Sequence, residues 1–233
     1  QIASDNDYAI QICTGQNEER QLDNLKQLIY GNRVDGLIFL YSNPNDPLVD
    51  FAIKDKFPFL ILGKATSPFV SLVDNDNIKA AFDATDYFIR QNYRKIAFIG
   101  GNKELFVSQD RYQGYKEALD KAGIPLDKKL VHFSFGFMLE DNSYQLMESL
   151  PLAELDAIMT TDILVAEGVR QYLQEHQLTI PIISFDSIKP RLDIEAYIDI
   201  NAVELGRESV IKDHKEGKTV CYRQLIDHTI TKL

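Results

Sequence analysis

Tryptophan is absent from this chain, and cysteine, methionine and histidine are scarce: two, three and four residues in 233. Two cysteines, Cys13 and Cys221, stand at opposite ends without CxxC spacing, which excludes a scaffold stapled by several disulfides. They read as small buried hydrophobes in strand-like runs of a protein from a reducing compartment, with a disulfide joining the two left open. The histidines, His132, His176, His214 and His228, are scattered, with no HExxH and no cysteine neighbour, so no metal site is expected. Long apolar runs are missing as well. None approaches the roughly 20 residues needed to cross a bilayer, so no membrane contact is expected. Basic residues are outnumbered, 25 against 35 acidic, for a net charge of −10. That balance argues against a broad nucleic-acid footprint on this chain; any such contact must come from elsewhere. Signatures of catalysis are lacking too. Gly217-Lys218-Thr219 resembles the end of a phosphate loop, but Lys212 stands where the earlier glycine should be, and the segment ends a helix. There is no GxSxG, and Gly100-Gly101 has no third glycine, so neither an enzyme nor a cofactor is expected.

What is present is an almost unbroken alternation of strand and helix patterns. Leu22, Leu25, Leu28 and Ile29 mark a helix near 18–30, followed by a buried strand at 36–41. A short helix over 47–55 and a strand at 57–62 come next. Ile78, Ala81, Phe82, Thr85, Phe88 and Ile89 then recur at helical spacing ahead of a strand at 95–99. Further strands are expected at 129–133, 156–159, 181–185 and 196–200, with helices near 140–150, 162–176 and 202–216. Such alternation is the signature of an α/β fold, parallel sheets wound with helices. No repeat or flexible linker divides the chain. If there are two lobes, the chain crosses between them at short ordered segments, and DNDN at 74–77 is the candidate for one crossing, a helix cap, or both.

The segment VSQDRYQGYKEAL, 107–119, sets one arginine on the first turn of a helix beginning near Ser108. Tyr112, Tyr115, Leu119 and Ala122 recur along it, and Gly123 stops it. The helix follows the buried strand KIAFIG, 95–100, so Arg111 lies near a strand's carboxyl end, where open α/β sheets bind ligands. Arg111 can fork hydrogen bonds onto a ligand, or it can pair with Asp110 or Glu117 on a solvated face. Thr161 and Asp162 follow another strand, and Asp186 a third. In a parallel sheet these ends share one edge, so Arg111, Thr161, Asp162 and Asp186 can converge on one pocket. Helix capping by Thr161 and Asp162, and a turn role for Asp186, are the structural alternatives. An arginine with carboxylates suits a neutral polyol, whose hydroxyls take paired hydrogen bonds while an aromatic ring covers its apolar side. Of Phe133, Phe135 and Phe137, more often core than ligand wall, Phe137 is the candidate for that ring.

Six motifs in order carry a family resemblance: RVDGLI (33–38), VDNDN (73–77), KIAFIGG (95–101), DRYQGY (110–115), TTDILVAEG (160–168) and ISFD (183–186). Together they resemble the effector-binding core of the lac repressor (LacI/GalR) family, over nearly the whole chain. LYS (40–42), VDNDN and GGN before the arginine are most similar to maltose-operon-type repressors. The resemblance implies a type I periplasmic-binding-protein-like fold of two lobes, each a parallel sheet flanked by helices, joined by three crossovers. It implies an N-terminal lobe of 1–74 plus 203–223, a C-terminal lobe of 75–202 plus 224–233, and an effector in the cleft between them. A homodimer and cytoplasmic residence are implied, as is operator recognition through an N-terminal helix-turn-helix domain that this sequence does not contain. The family's first strand and the start of its first helix are expected to be missing as well. By position, Arg111, Thr161 and Asp186 correspond to effector contacts. Two usual contacts are altered, with Thr161 in place of Asn and Gly63-Lys64 in place of Asp-Arg, and Lys64 joins the candidate set. The implied function is a sugar-responsive repressor sensing a maltose-type saccharide or a sugar phosphate. The alternative is an extracytoplasmic sugar-binding protein serving a transporter, which shares the fold.

Overall fold

The computed structural model describes residues 2–43, 45–134, 139–186, 194–215 and 222–232. In chain order the elements begin with α1 (Ile2–Asp5), α2 (Glu18–Tyr30), β1 (Leu37–Phe39), α3 (Pro47–Asp55), β2 (Phe59–Leu62) and β3 (Leu72–Asn75). Then come α4 (Asn77–Arg90), β4 (Ile96–Gly100), α5 (Phe106–Lys121), β5 (Val131–Phe133), α6 (Leu139–Leu146), β6 (Ala157–Thr160) and α7 (Ile163–Glu175). The chain closes with β7 (Ile182–Phe185), β8 (Ala196–Asp199), α8 (Ala202–Lys215), β9 (Arg223–Ile226) and β10 (Thr229–Lys232). It divides into two compact units, residues 1–74 with 202–226 and residues 75–201 with 227–233.

The first unit is built on a four-stranded sheet in the order β1-β2-β3-β9, with β1, β2 and β3 parallel. Its core joins Val49 of α3 to Ile61 of β2, Leu72 of β3 and Val70 just before that strand. Helix α3 starts where the sequence places it: Pro47 occupies the first turn, and Asp46 accepts from the amides of Leu48 and Val49 at 3.0 and 3.4 Å. One expectation fails here. Cys13 is exposed, not buried, and residues 8–15 form no strand. Ile10 and Ile12 are 74% and 83% exposed, because the apolar alternation of this segment finds no neighbouring strand among the described residues on which to form a ladder. Cys221 lies outside the described residues.

The second unit has a six-stranded sheet in the order β10-β8-β7-β6-β4-β5, parallel except where β10 runs against β8. Strands β4, β6 and β7 are buried throughout and largely apolar because both faces are covered, with Thr160 and Ser184 the buried polar exceptions. Ile96, Phe98, Met159, Ile183 and Phe185 face α4 and α5, where Ala80, Ala84, Phe88 and Tyr115 meet them. Ala97, Ile99, Ile158 and Ile182 face the other way onto Val165, Val169, Leu173 and Met147. Tyr115 closes the first layer by donating its hydroxyl proton to the Ile96 carbonyl at 2.8 Å. Helices α4 and α5 approach each other closely at Gly114, where a Cβ would stand 2.0 Å from the Ile78 carbonyl oxygen.

The strand order positions the site. From β4 the chain steps through α5 to β5 on one side, then returns to β6 on the other side of β4 and continues to β7 and β8. The order therefore reverses between β4 and β6. Crossover segments diverge at such a point and leave a crevice at the carboxyl ends of the strands. Three strands escape a reading by pattern, β3, β9 and β10. Several expected elements are also shorter: β1 keeps only Leu37–Phe39 of 36–41, β2 starts at Phe59, β5 begins only after a 3₁₀ turn at Lys128–Leu130, and α6 gives way to a 3₁₀ turn at Met147–Ser149.

Candidate functional site

At the switch point the ends of β4 and β6 are stitched together. The Gly101 amide donates to Thr161 Oγ1 at 2.8 Å, and the Thr161 amide donates to the Ile99 carbonyl at 3.2 Å. Above this seam α5 turns Ser108, Arg111, Tyr115 and Ala118 inward along one helical face. Arg111 is only 7% exposed, so it does not lie on a solvated face; Glu117 accepts instead from Gln113 at 2.7 Å.

A buried guanidinium is costly unless its donors find acceptors. Arg111 Nε donates to Asn77 Oδ1 at 2.9 Å, Nη1 donates to the Thr161 carbonyl, and the guanidinium carbon sits 3.7 Å from the centroid of the Phe185 ring. The two hydrogen bonds fix the plane of the fork, and the ring supplies a cation–π contact beneath it.

Asp186 follows β7 in the left-handed backbone region, φ 66°, with its amide donating to the Ile198 carbonyl at 3.0 Å. That conformation lifts the residue out of the sheet and suits a short polar side chain. Burial pushes its carboxyl above the ordinary value; the Arg111 guanidinium opposes the rise, and Asp162 and Asp199 add to it. Asp162 Oδ1 accepts from the amides of Leu164 and Val165, both at 3.0 Å, and so caps α7. Asp199 accepts from the Asn201 amide. Among the described residues, the Asp186 carboxylate accepts no hydrogen bond.

The second unit thus brings together Arg111, Thr161, Asp162 and Asp186. Thr161 and Asp162 have framework tasks, one joining two strands and the other starting a helix. Phe137 lies outside the described residues. Lys64 belongs to the first unit, where it is exposed just after Gly63, and its carbonyl accepts from Ser42 Oγ at 2.8 Å. A cavity of about 70 Å³ in that unit is lined by Ser42, Asn43, Asp46, Asp50, Thr66 and Ser67. Ligand pockets run to roughly 300–1,000 Å³, so this cavity is too small to be a saccharide site by itself.

Sequence reasoning missed Asn77, Phe185 and Ser134. Asn77 reads as part of a helix cap, yet Asp76 performs that task, accepting from the Lys79 amide at 2.9 Å. Phe185 reads as core, and it is core on one face and a platform on the other. Ser134, at the end of β5, is buried with its hydroxyl unpaired among the described residues. These residues contain no cluster of three or more potential metal ligands, and no helix long and apolar enough to cross a membrane.

Comparison with known proteins gives this arrangement a lineage. Residues 1–187 match the family described as periplasmic binding proteins and sugar binding domain of LacI family. The transcriptional regulator MalR of Streptococcus pneumoniae is 51% identical over 238 residues, covering 99% of this chain and 72% of the relative. MalR of Staphylococcus xylosus is 29% identical over 174 residues, 74% of this chain and 50% of the relative. A solved structure of a regulatory protein of the LacI family from Chloroflexus aggregans aligns with a TM-score of 0.81 at 26% identity, covering 98% of this chain and 86% of that one. The family match over most of the chain and the 51% relative both point the same way: this chain belongs to the LacI family of transcriptional regulators, and its two α/β units are that family's sugar-binding-domain fold.

Proposed function

We propose that this chain is the effector-sensing domain of a repressor that responds to a neutral, maltose-type saccharide, with Arg111 and Asp186 as its principal anchors. The observation that carries the reading is their pairing at the switch point. A guanidinium is held in one plane on Phe185, beside a half-buried carboxylate that accepts no hydrogen bond among the described residues. Together they offer donors and acceptors to vicinal hydroxyls, and the 51% identity to MalR supports a saccharide as the source of those hydroxyls. The site has the parts for holding a ligand, and the reading assigns it no turnover.

In this reading the chain acts in the cytoplasm as a homodimer, and operator contact belongs to a domain outside this sequence. Coupling of effector to operator requires the saccharide to favour one conformation over another, typically by about 1–3 kcal/mol. The test is a thermal-shift and calorimetric screen with maltose, maltotriose, glucose and their phosphates on the chain and on Arg111→Ala. Maltose-type saccharides are expected to stabilise the chain but not the variant. Equal stabilisation of both would remove Arg111 from the site, and binding of none of these sugars would overturn the reading.

A further inference from the structure

Arg111 does not stand on its own helix alone. Its Nε–H donates to Asn77 Oδ1, and because arginine has no acceptor, that contact fixes which end of the Asn77 amide is oxygen. Asn77 Nδ2 is thereby turned the other way, and it donates to the carbonyl of Asn75 at 3.3 Å. Asn75 Nδ2 in turn donates to the carbonyl of Ile200 at 2.9 Å. Both asparagines are about 95% buried, with exposures of 5% and 4%, so these bonds compete little with water.

The ends of this chain of bonds lie at distinctive places. Asn75 is the first residue of the second unit, and Ile200 stands two residues before its return to the first at Ala202. Two of the three segments by which the backbone passes between the units are thus tied to each other, and through Asn77 to the arginine of the site. We infer that Asn77 and Asn75 are positioning residues that set the Arg111 guanidinium by reference to these two crossing segments, so that ligand held by Arg111 and the backbone geometry of the crossings are coupled. The inference rests on the reading of Arg111 as a ligand anchor. It explains why an amide serves at position 77: a carboxylate would satisfy Arg111 equally well but would face the Asn75 carbonyl with no proton to donate.

The experiment separates these roles. The ¹⁵N-resolved Nε–H signal of Arg111, assigned by its loss in Arg111→Lys, reports the first bond whatever the ligand. It is expected to be sharp in the parent chain and in Asn77→Asp, which keeps the acceptor, and to be lost to solvent exchange in Asn77→Ala. Asn75→Ala removes the far link, the Nδ2 bond to the Ile200 carbonyl, and leaves the Asn75 carbonyl that accepts from Asn77 in place. It is expected to shift the Arg111 signal and to weaken maltose binding about three- to tenfold, the range of one hydrogen bond, with Asn77→Asp losing a similar factor. Far-UV circular dichroism checks that each variant is folded, and Asn77→Asp serves if Asn77→Ala is not. An Arg111 signal and a maltose affinity unmoved by Asn75→Ala would end the relay at Asn77 and overturn the inference, as would an unmoved signal in Asn77→Ala. If the variants move the signal while the parent chain binds no saccharide, the relay stands and the functional reading falls.

Discussion

Gly114→Ala sets two effects of known size against each other. On helix propensity alone, alanine in place of glycine within α5 stabilises by about 1 kcal/mol. The structure predicts the opposite sign. The new Cβ would lie 2.0 Å from the Ile78 carbonyl oxygen, 2.8 Å from the Phe82 amide nitrogen and 3.0 Å from the Ala81 Cβ. Two of the three are backbone atoms of α4, so no side-chain rotation relieves them. The helices must separate by more than an ångström to restore an ordinary carbon–oxygen contact. That movement loosens a layer in which Ala80, Ala81, Ala84, Phe88, Tyr115 and Ala118 are all essentially inaccessible to water. Overpacking costs about 1–3 kcal/mol where side chains can adjust, and a backbone clash belongs at or above the top of that range, so the net loss is about 2 kcal/mol or more after the propensity gain. Gly206, in α8, is the control: among the described residues a Cβ there meets nothing within 4 Å, so Gly206→Ala should gain about 0.5–1 kcal/mol. Urea unfolding followed by circular dichroism reads both. If Gly114→Ala is as stable as the parent chain, the close approach of α4 and α5 is not what requires glycine there.

Three further outcomes follow from the site. Because burial raises the Asp186 carboxyl above its ordinary value of 3.8, folding penalises its charged form; the penalty is full at neutral pH, shrinks as pH falls through the raised value, and is gone below 3.8. Asp186→Asn should therefore stabilise the chain at neutral pH by an amount that diminishes towards acid, measured as melting temperature against pH; a gain independent of pH would contradict the assignment. The same variant should bind maltose more weakly by about 1–3 kcal/mol in calorimetry, since a neutral amide replaces an acceptor that has no other hydrogen bond among the described residues. Asp162→Ala leaves the amides of Leu164 and Val165 without their cap and should cost about 0.5–2 kcal/mol in urea unfolding, with no loss indicating that water replaces the cap.

What the sequence made legible depends on whether an element's reason for existing is local. Strands β4, β6 and β7 are predominantly apolar runs because helices cover both faces, and such runs can be read without knowing their neighbours. β9 and β10 are four residues each, mixed in polarity, and exist because β3 and β8 present a ladder to them. Nothing in RQLI or TITK alone announces that. The segment around Ile10 and Cys13 shows the converse: its alternation is a strand's, but pattern without a partner does not make a ladder. At the site the same distinction holds. Asp162 capping α7 was legible, since its partners are two and three residues away. The Asn77 contact with Arg111 spans 34 residues and was hidden behind a local explanation, helix capping, which Asp76 supplies.

The burial of Arg111 argues for a task other than stability. Desolvating a guanidinium costs several kcal/mol, and two hydrogen bonds with a ring contact return a comparable amount, so an apolar side chain packed in its place would hold α5 against the sheet about as well. Two of its hydrogen bonds go to neutral groups, a side-chain amide and a main-chain carbonyl. The Asp186 carboxyl nearby is turned out of the sheet by its left-handed backbone; burial raises it above its ordinary value, and the Arg111 guanidinium partly opposes that rise. Charge and countercharge thus stand in one neighbourhood, and burial still keeps the Asp186 carboxyl above its ordinary value. Such an arrangement persists because the surrounding core over-determines it, and in the proposed reading a saccharide, with hydroxyls to accept and donate, is what completes it.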